Sequence, residues 1–286
     1  MKAWQFWIVF LLVASVLVVL GLLGLAGWWW WRRRKRRRAL PPRLLRHPLV
    51  LVHGILGFDS IGVGKVKQHY FRGVAHALEA IGVKCYVPRL PALGSVPERA
   101  ERLAAYIRAL PEPRVNIVAH SMGGLDARYA ISRLGLGDKV ASLVTVGTPH
   151  HGSPLADLAA EGPARWVREW FARVGTPSEA VEWLTTHSAA RFNSDVPDDP
   201  RVLYASVVCR APSGLWRSNP LLVPTHMYLR KRSGTNDGVV PTDSQKWGHI
   251  FVEHEIDHWG QVGWSIVVGG AGVYERVVRE LAQRGF

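Results

Sequence analysis

The chain has 286 residues, enough for one large α/β domain or two small ones. An apolar fraction of 48% and a mean hydropathy of +0.03 exclude a disordered tail and a polytopic membrane protein. Two cysteines exclude a disulfide-stapled scaffold and a Cys-rich zinc module, while a net charge of +14 with a pI near 10.4 points, taken alone, to nucleic acid.

That charge is concentrated at one end. Residues 1–46 hold ten of the 36 Lys and Arg and no acid, which leaves 26 cations against 22 acids, a net +4, in residues 47–286. A nucleic-acid binder is expected to carry its basic face across the folded domain, so no nucleic-acid partner is expected. Residues 3–31 bear no charge, and 6–26 are almost wholly Phe, Ile, Val, Leu, Ala and Gly. A helix needs roughly 20 apolar residues to cross the hydrocarbon core. Trp4 and Trp7 stand at one end of the run and Trp28, Trp29, Trp30 and Trp31 at the other, as tryptophans do at membrane interfaces. Seven cations follow at 32–38 and suit anionic head groups. The expectation is a single-pass membrane anchor, spanning about 6–27 within an N-terminal segment 1–46. A cleaved signal fits poorly, because the run is too long, the n-region has one lysine and no small-x-small site precedes a polar start. The positive-inside rule then puts residues 47–286 on the cytoplasmic side of a bacterial inner membrane. Ala39-Leu40-Pro41-Pro42 reads as a stiff spacer.

Beyond the spacer the pattern alternates. Residues 48–53 read as a buried strand, 70–81 as a helix, 82–88 as a strand and 97–110 as a helix with Ala100, Leu103, Ala104 and Ile107 at helical spacing. Residues 114–119 read as a strand, 124–134 as a helix and 140–146 as a strand, with later strands at 202–208 and 249–252. Such alternation predicts a mainly parallel sheet with helices on both faces.

The chemistry centres on Val118-Ala119-His120-Ser121-Met122-Gly123-Gly124, placed between a predicted strand and a predicted helix. That is the setting of a nucleophile elbow, a turn so tight that residues two before and two after the serine must be small. Ala119 and Gly123 meet the demand. A serine needs a base, and the base an orienting acid, in the chain order Ser, acid, His on this kind of scaffold. Asp237, in a loop following the apolar stretch around Met227 and Leu229, is the expected acid, with Asp243 as the alternative. His258, beyond the last predicted strand, is the expected base, with His254 as the alternative. The oxyanion hole takes two backbone N–H groups, here Met122, after the nucleophile, and Ile55, in the loop after the first strand. His53 reads as a hydrogen-bonded structural residue.

These pieces resemble the true lipases of bacteria, within the α/β-hydrolase superfamily. The matching stretches are Leu51-Val-His-Gly-Ile-Leu-Gly-Phe-Asp59, Val115-Asn-Ile-Val-Ala-His-Ser-Met-Gly-Gly124, Val146-Gly-Thr-Pro-His-His-Gly-Ser-Pro154, Thr235-Asn-Asp-Gly-Val-Val-Pro241 and Asp257-His258. The resemblance implies an α/β-hydrolase fold, a Ser121–Asp237–His258 triad, oxyanion donors at Ile55 and Met122, and ester hydrolysis through an acyl-enzyme without metal or organic cofactor. It also implies an exported enzyme, against the orientation that the charges favour. Larger members hold a structural calcium with an Asp two residues after the catalytic His, where this chain has Gly260, and no calcium site of that kind is expected. They also carry a disulfide near the acid loop, whereas Cys85 and Cys209 read as buried free thiols.

A long insertion spans 152–200. Within it, 163–174 forms an amphipathic helical pattern with Trp166, Val167, Trp170, Phe171 and Val174 on one face. It reads either as a packed cap or as a mobile lid over an acyl pocket. The expected activity is a lipase, esterase or phospholipase acting on lipid esters. The alternatives are an acyltransferase or thioesterase on the same scaffold, and a membrane-bound scaffold without activity. No oligomeric state follows from the sequence.

Overall fold

Runs of apolar, mostly β-branched residues make the central strands. Leu49–Val52 (β1), Val115–His120 (β3) and Val140–Val146 (β4) are buried along their whole length. That is the pattern of parallel strands covered on both faces. In this computed structural model the described residues are 44–55, 70–92, 94–160, 178–212, 218–264 and 270–286, all within the unit Pro42–Phe286. The expected span at 6–27, its flanking cations, and the 163–174 segment with Trp166, Trp170 and Phe171 lie outside the described residues. Among the described residues no helix is long and apolar enough to cross a membrane.

With Cys85–Tyr86 (β2), Leu203–Arg210 (β5) and His249–Glu255 (β6), the strands form one six-stranded sheet in the order β2-β1-β3-β4-β5-β6. Every neighbouring pair is parallel. Side chains alternate across it. Leu49 and Leu51 face a core shared with Val74–Glu79 (α1) and Ala271–Gln283 (α8). Val50 and Val52 face one shared with Val96–Ala109 (α2) and Gly123–Ser132 (α3). In α2 the Ser95 hydroxyl accepts from Glu98 N, Pro97 sits in the first turn, and the buried stripe includes Arg99 beside Ala100, Leu103 and Ile107. The insertion contributes Pro154–Ala160 (α4), Ser178–Glu182 (α5) and Thr186–Asp195 (α6), and Val223–Ser233 (α7) precedes the acid loop.

Three expectations change. The strand expected over 82–88 shrinks to β2, because it is the sheet edge and Pro88 has no N–H to extend a ladder. The helix expected over 70–81 starts only at Val74, since Gly73 adopts a left-handed φ of 73°. The stretch around Met227 and Leu229 is helix α7. Only Thr225 and Leu229 of it are buried, so it carries no apolar stripe to betray it.

Candidate active site

The C-terminal ends of the parallel strands bring the candidate residues together, where open α/β sheets place their sites. Ser121 follows β3 at a φ of 55°, the sole non-glycine at positive φ among the described residues. Such a backbone costs about 1–3 kcal/mol and persists only when its surroundings hold it. Ser121 N donates to Val146 O on β4 at 2.9 Å. Ser121 O accepts from Gly124 N at 3.0 Å and from the Thr148 hydroxyl at 2.7 Å. A Cβ on Gly123 would stand 2.7 Å from His53 O, and one on Gly54 would stand 2.8 Å from Ser121 Cβ. The elbow and the loop after β1 therefore pack backbone to backbone, which only glycine allows.

His258 Nε2 lies 3.0 Å from Ser121 Oγ, and His258 Nδ1 lies 2.8 Å from Asp237 Oδ2. All three side chains are buried. Asp237 Oδ1 accepts from Val239 N at 3.0 Å and Val240 N at 2.7 Å, so the turn that carries the acid also fixes its carboxylate. His258 N donates to Asp237 O at 2.8 Å, joining the two loops. Asp257 anchors the histidine loop by accepting from Gly260 N at 2.7 Å and Asn219 N at 2.8 Å. The alternatives lie elsewhere. Asp243 is exposed and pairs with Lys246 at 2.6 Å, and His254 sits half-buried on β6, its pKa lowered by burial and by Arg276.

Ile55 and Met122 flank Ser121, at the turn after β1 and at the N-terminus of α3. Neither backbone N–H is engaged by another described residue. His53 is structural, as expected: its Nε2 accepts from Leu90 N at 3.1 Å, so Nδ1 carries the proton toward Gly54 O at 2.9 Å. Met122, Leu125, Leu155, Val181, Leu184, Phe192 and Leu229 form an apolar cluster against which Ile55 and Val239 pack. The two sides of Ser121 thus rest on one greasy floor. Both cysteines are free, Cys209 buried and Cys85 only half-buried because it lies on the edge strand. Among the described residues no group of three or more His, Cys, Asp or Glu is placed to hold a metal ion.

Sequence reasoning missed five buried or half-buried polar residues around this line. Arg99 is fully buried and donates to Asp126 Oδ2 at 2.8 Å, to His53 O at 2.7 Å, to Gly54 O at 3.2 Å and to Pro91 O. It ties the loop carrying Ile55 to the first turn of α3. Burial pushes the Asp126 carboxyl up to about 7 against the pull of Arg99, and Asp126 Oδ1 has no hydrogen-bond partner among the described residues. The other three are Tyr70, His120 and Gln261. Tyr70 Oη lies 2.7 Å from His120 Nδ1, His120 Nε2 lies 3.0 Å from Gln261 Oε1, and Gln261 Nε2 donates to Asp237 Oδ2 at 2.8 Å. His120 stands inside the elbow motif, and Gln261 follows His258 by one helical turn. The sequence shows both positions but not what they face.

Residues 24–226 match the family described as alpha/beta hydrolase fold, a match that ends ahead of Asp237 and His258. A triacylglycerol lipase of Pseudomonas fragi is 39% identical over 245 residues, covering 80% of this chain and 70% of the relative. Triacylglycerol lipase 2 of Saccharomyces cerevisiae is 30% identical over 225 residues, covering 72% and 66%. Among solved structures, a mature lipase of Bacillus licheniformis superposes with a TM-score of 0.69 at 23% identity, covering 86% of this chain and 94% of that one. A metagenomic carboxyl esterase reaches 0.69 at 22% identity, covering 83% and 76%. At those identities the structural likeness concerns the fold.

Proposed function

The chain belongs to the α/β-hydrolase family and is a carboxylic ester hydrolase, and from that premise we propose that it cleaves lipid esters through Ser121, His258 and Asp237. The observation that carries the reading is the unbroken line from Ser121 Oγ through His258 to Asp237, at 3.0 and 2.8 Å. His258 Nε2 takes the proton as Ser121 Oγ attacks the ester carbonyl. The N–H groups of Ile55 and Met122 hold the oxyanion of the tetrahedral intermediate. Asp237 keeps the proton on Nδ1 and stabilises the imidazolium. His258 then protonates the departing alcohol, and water, activated by the same histidine, releases the acid. The triacylglycerol lipases among its relatives support lipid over small polar esters as the substrate.

In the same reading the span at 6–27 anchors the enzyme in a bacterial inner membrane, with the catalytic domain on the cytoplasmic face. Its support is the uncharged run of 3–31 between tryptophans and the seven cations at 32–38. A catalytic domain digested by protease in intact spheroplasts would reverse that orientation.

The chemistry is tested with p-nitrophenyl esters of graded chain length, triacylglycerols and phospholipids, beside a fluorophosphonate probe. The wild type is expected to hydrolyse the longer esters and to label. Ser121→Ala is expected to lose both, with kcat down by about 10⁶. Labelling retained in Ser121→Ala would remove Ser121 as nucleophile.

A further inference from the structure

A second row of buried and half-buried polar groups runs beside the Ser121–His258–Asp237 line, and the reaction scheme leaves it unused. Its direction can be worked out from the acid outward. An ionised carboxylate only accepts, so the Gln261 group facing Asp237 Oδ2 is its amide nitrogen, at 2.8 Å. The amide oxygen therefore faces His120 and needs a donor, so His120 Nε2 carries a proton. Burial, and then the neighbouring His258, push the His120 pKa well below its usual 6.5 and keep the ring neutral. Its Nδ1 is then bare and accepts the Tyr70 hydroxyl proton. Tyr70 Oη itself accepts from Gly54 N at 3.2 Å, one residue before the oxyanion donor Ile55. Four hydrogen bonds thus point the same way, from the oxyanion loop to the acid.

At the far end the carboxylate is saturated. Oδ2 takes His258 Nδ1–H and Gln261 Nε2–H, and Oδ1 takes the N–H groups of Val239 and Val240. A carboxylate with both oxygens doubly occupied does not rotate away from the histidine, and its charge is shared between the histidine and three other donors.

We propose that Gln261 is a positioning residue of the reaction, which steers the Asp237 carboxylate and fixes the His120 proton, so that acid and oxyanion loop are held by one oriented chain. This rests on the triad reading above. The titratable groups around the acid are His258, His120 beyond Gln261 and the buried Cys209 thiol. Without the Gln261 donor, Asp237 holds more of its charge against His258 and favours the imidazolium, so the acid limb of kcat/KM moves to higher pH.

The test compares wild type, Gln261→Leu and Gln261→Met by kcat, KM, acid limb and melting temperature, with a separate sample of each labelled by the fluorophosphonate probe. Gln261→Leu is expected to lower kcat about tenfold with KM within about twofold, and to raise the acid limb. Gln261→Met keeps the length and flexibility of the side chain and removes the donor toward Asp237 without adding a charge. It is expected to fold like the wild type and to raise the limb as well, so it decides the matter if Gln261→Leu does not fold. Wild-type kcat and an unmoved limb in Gln261→Met overturn the proposal while leaving the triad standing. Activity that falls only in step with melting temperature, with the limb unmoved, overturns it too, because that is a packing role. A wild-type enzyme that fails to label at Ser121 removes the triad first, and the proposal with it.

Discussion

The two sides of Ser121 are held by opposite means. On the oxyanion side a fully buried ion pair, Arg99 with Asp126, clamps the carbonyls of His53 and Gly54. On the acid side no Lys or Arg among the described residues pairs with Asp237. Its carboxylate is met by backbone N–H groups, an amide and the His258 ring. A buried pair contributes little net stability when intact, yet breaking it strands a charge in the core. A hydrogen-bonded carboxylate keeps its charge available to the histidine. One side is therefore built to hold shape, and in the proposed reaction the other responds electrically to a proton moving on His258.

The comparison makes separable predictions. Asp237→Asn is expected to cost the most in rate, about 10⁴ in kcat, because the amide favours the wrong histidine tautomer, with the melting temperature changed little. Steady-state kinetics beside calorimetry reads both. A large melting shift with modest rate loss would merge the two sides into one. Asp126→Ala is expected to cost about 3–5 kcal/mol of stability by leaving Arg99 unpaired, as measured by urea denaturation. The exposed pair of Lys246 with Asp243 is the control, and Lys246→Ala is expected to leave the urea midpoint unchanged.

A remaining effect concerns pH. Burial depresses the pKa of both His120 and His150 well below 6.5. Below that value the unfolded chain binds protons that the native protein refuses, so this contribution is present above pH 6.5 and is lost as pH falls. Each group contributes a slope of about 1.4 kcal/mol per pH unit. His150 is held by the Thr145 hydroxyl at 2.9 Å and lies apart from the triad, so His150→Asn isolates one such slope. The urea stability of that variant is expected to fall less steeply than the wild type between pH 6.5 and 5. Parallel curves would mean that His150 takes up its proton in the folded state.

Legibility followed the range of the interactions. The elbow was readable because its demands are local: a strand, a turn that tolerates only small neighbours, and a helix, all within ten residues. Strands β1, β3 and β4 were readable because burial on both faces writes an unbroken apolar run. Helix α7 was not, because it touches the core with two residues. Asp237 and Asp243 look alike in sequence, each in a turn of small residues. They separate only in space, where one turn folds its own N–H groups onto the carboxylate beneath His258 and the other points at Lys246 in solvent. Arg99 was hidden in plain view among the apolar positions of α2, since no periodicity shows that a buried stripe position faces a carboxylate and two carbonyls.

The sequence by itself determined the parallel sheet, the tight strand–turn–helix setting of Ser121 and the division of charge between a basic N-terminal segment and a nearly balanced domain. Periodicity, turn chemistry and charge counts act over a few residues, and a linear pattern records them fully. Only the tertiary structure decided which aspartate and which histidine meet Ser121, how the oxyanion loop is clamped, and that Gln261 and His120 stand behind the acid. Those contacts join residues 21 to 141 positions apart, and their partners become visible only once the strand ends converge.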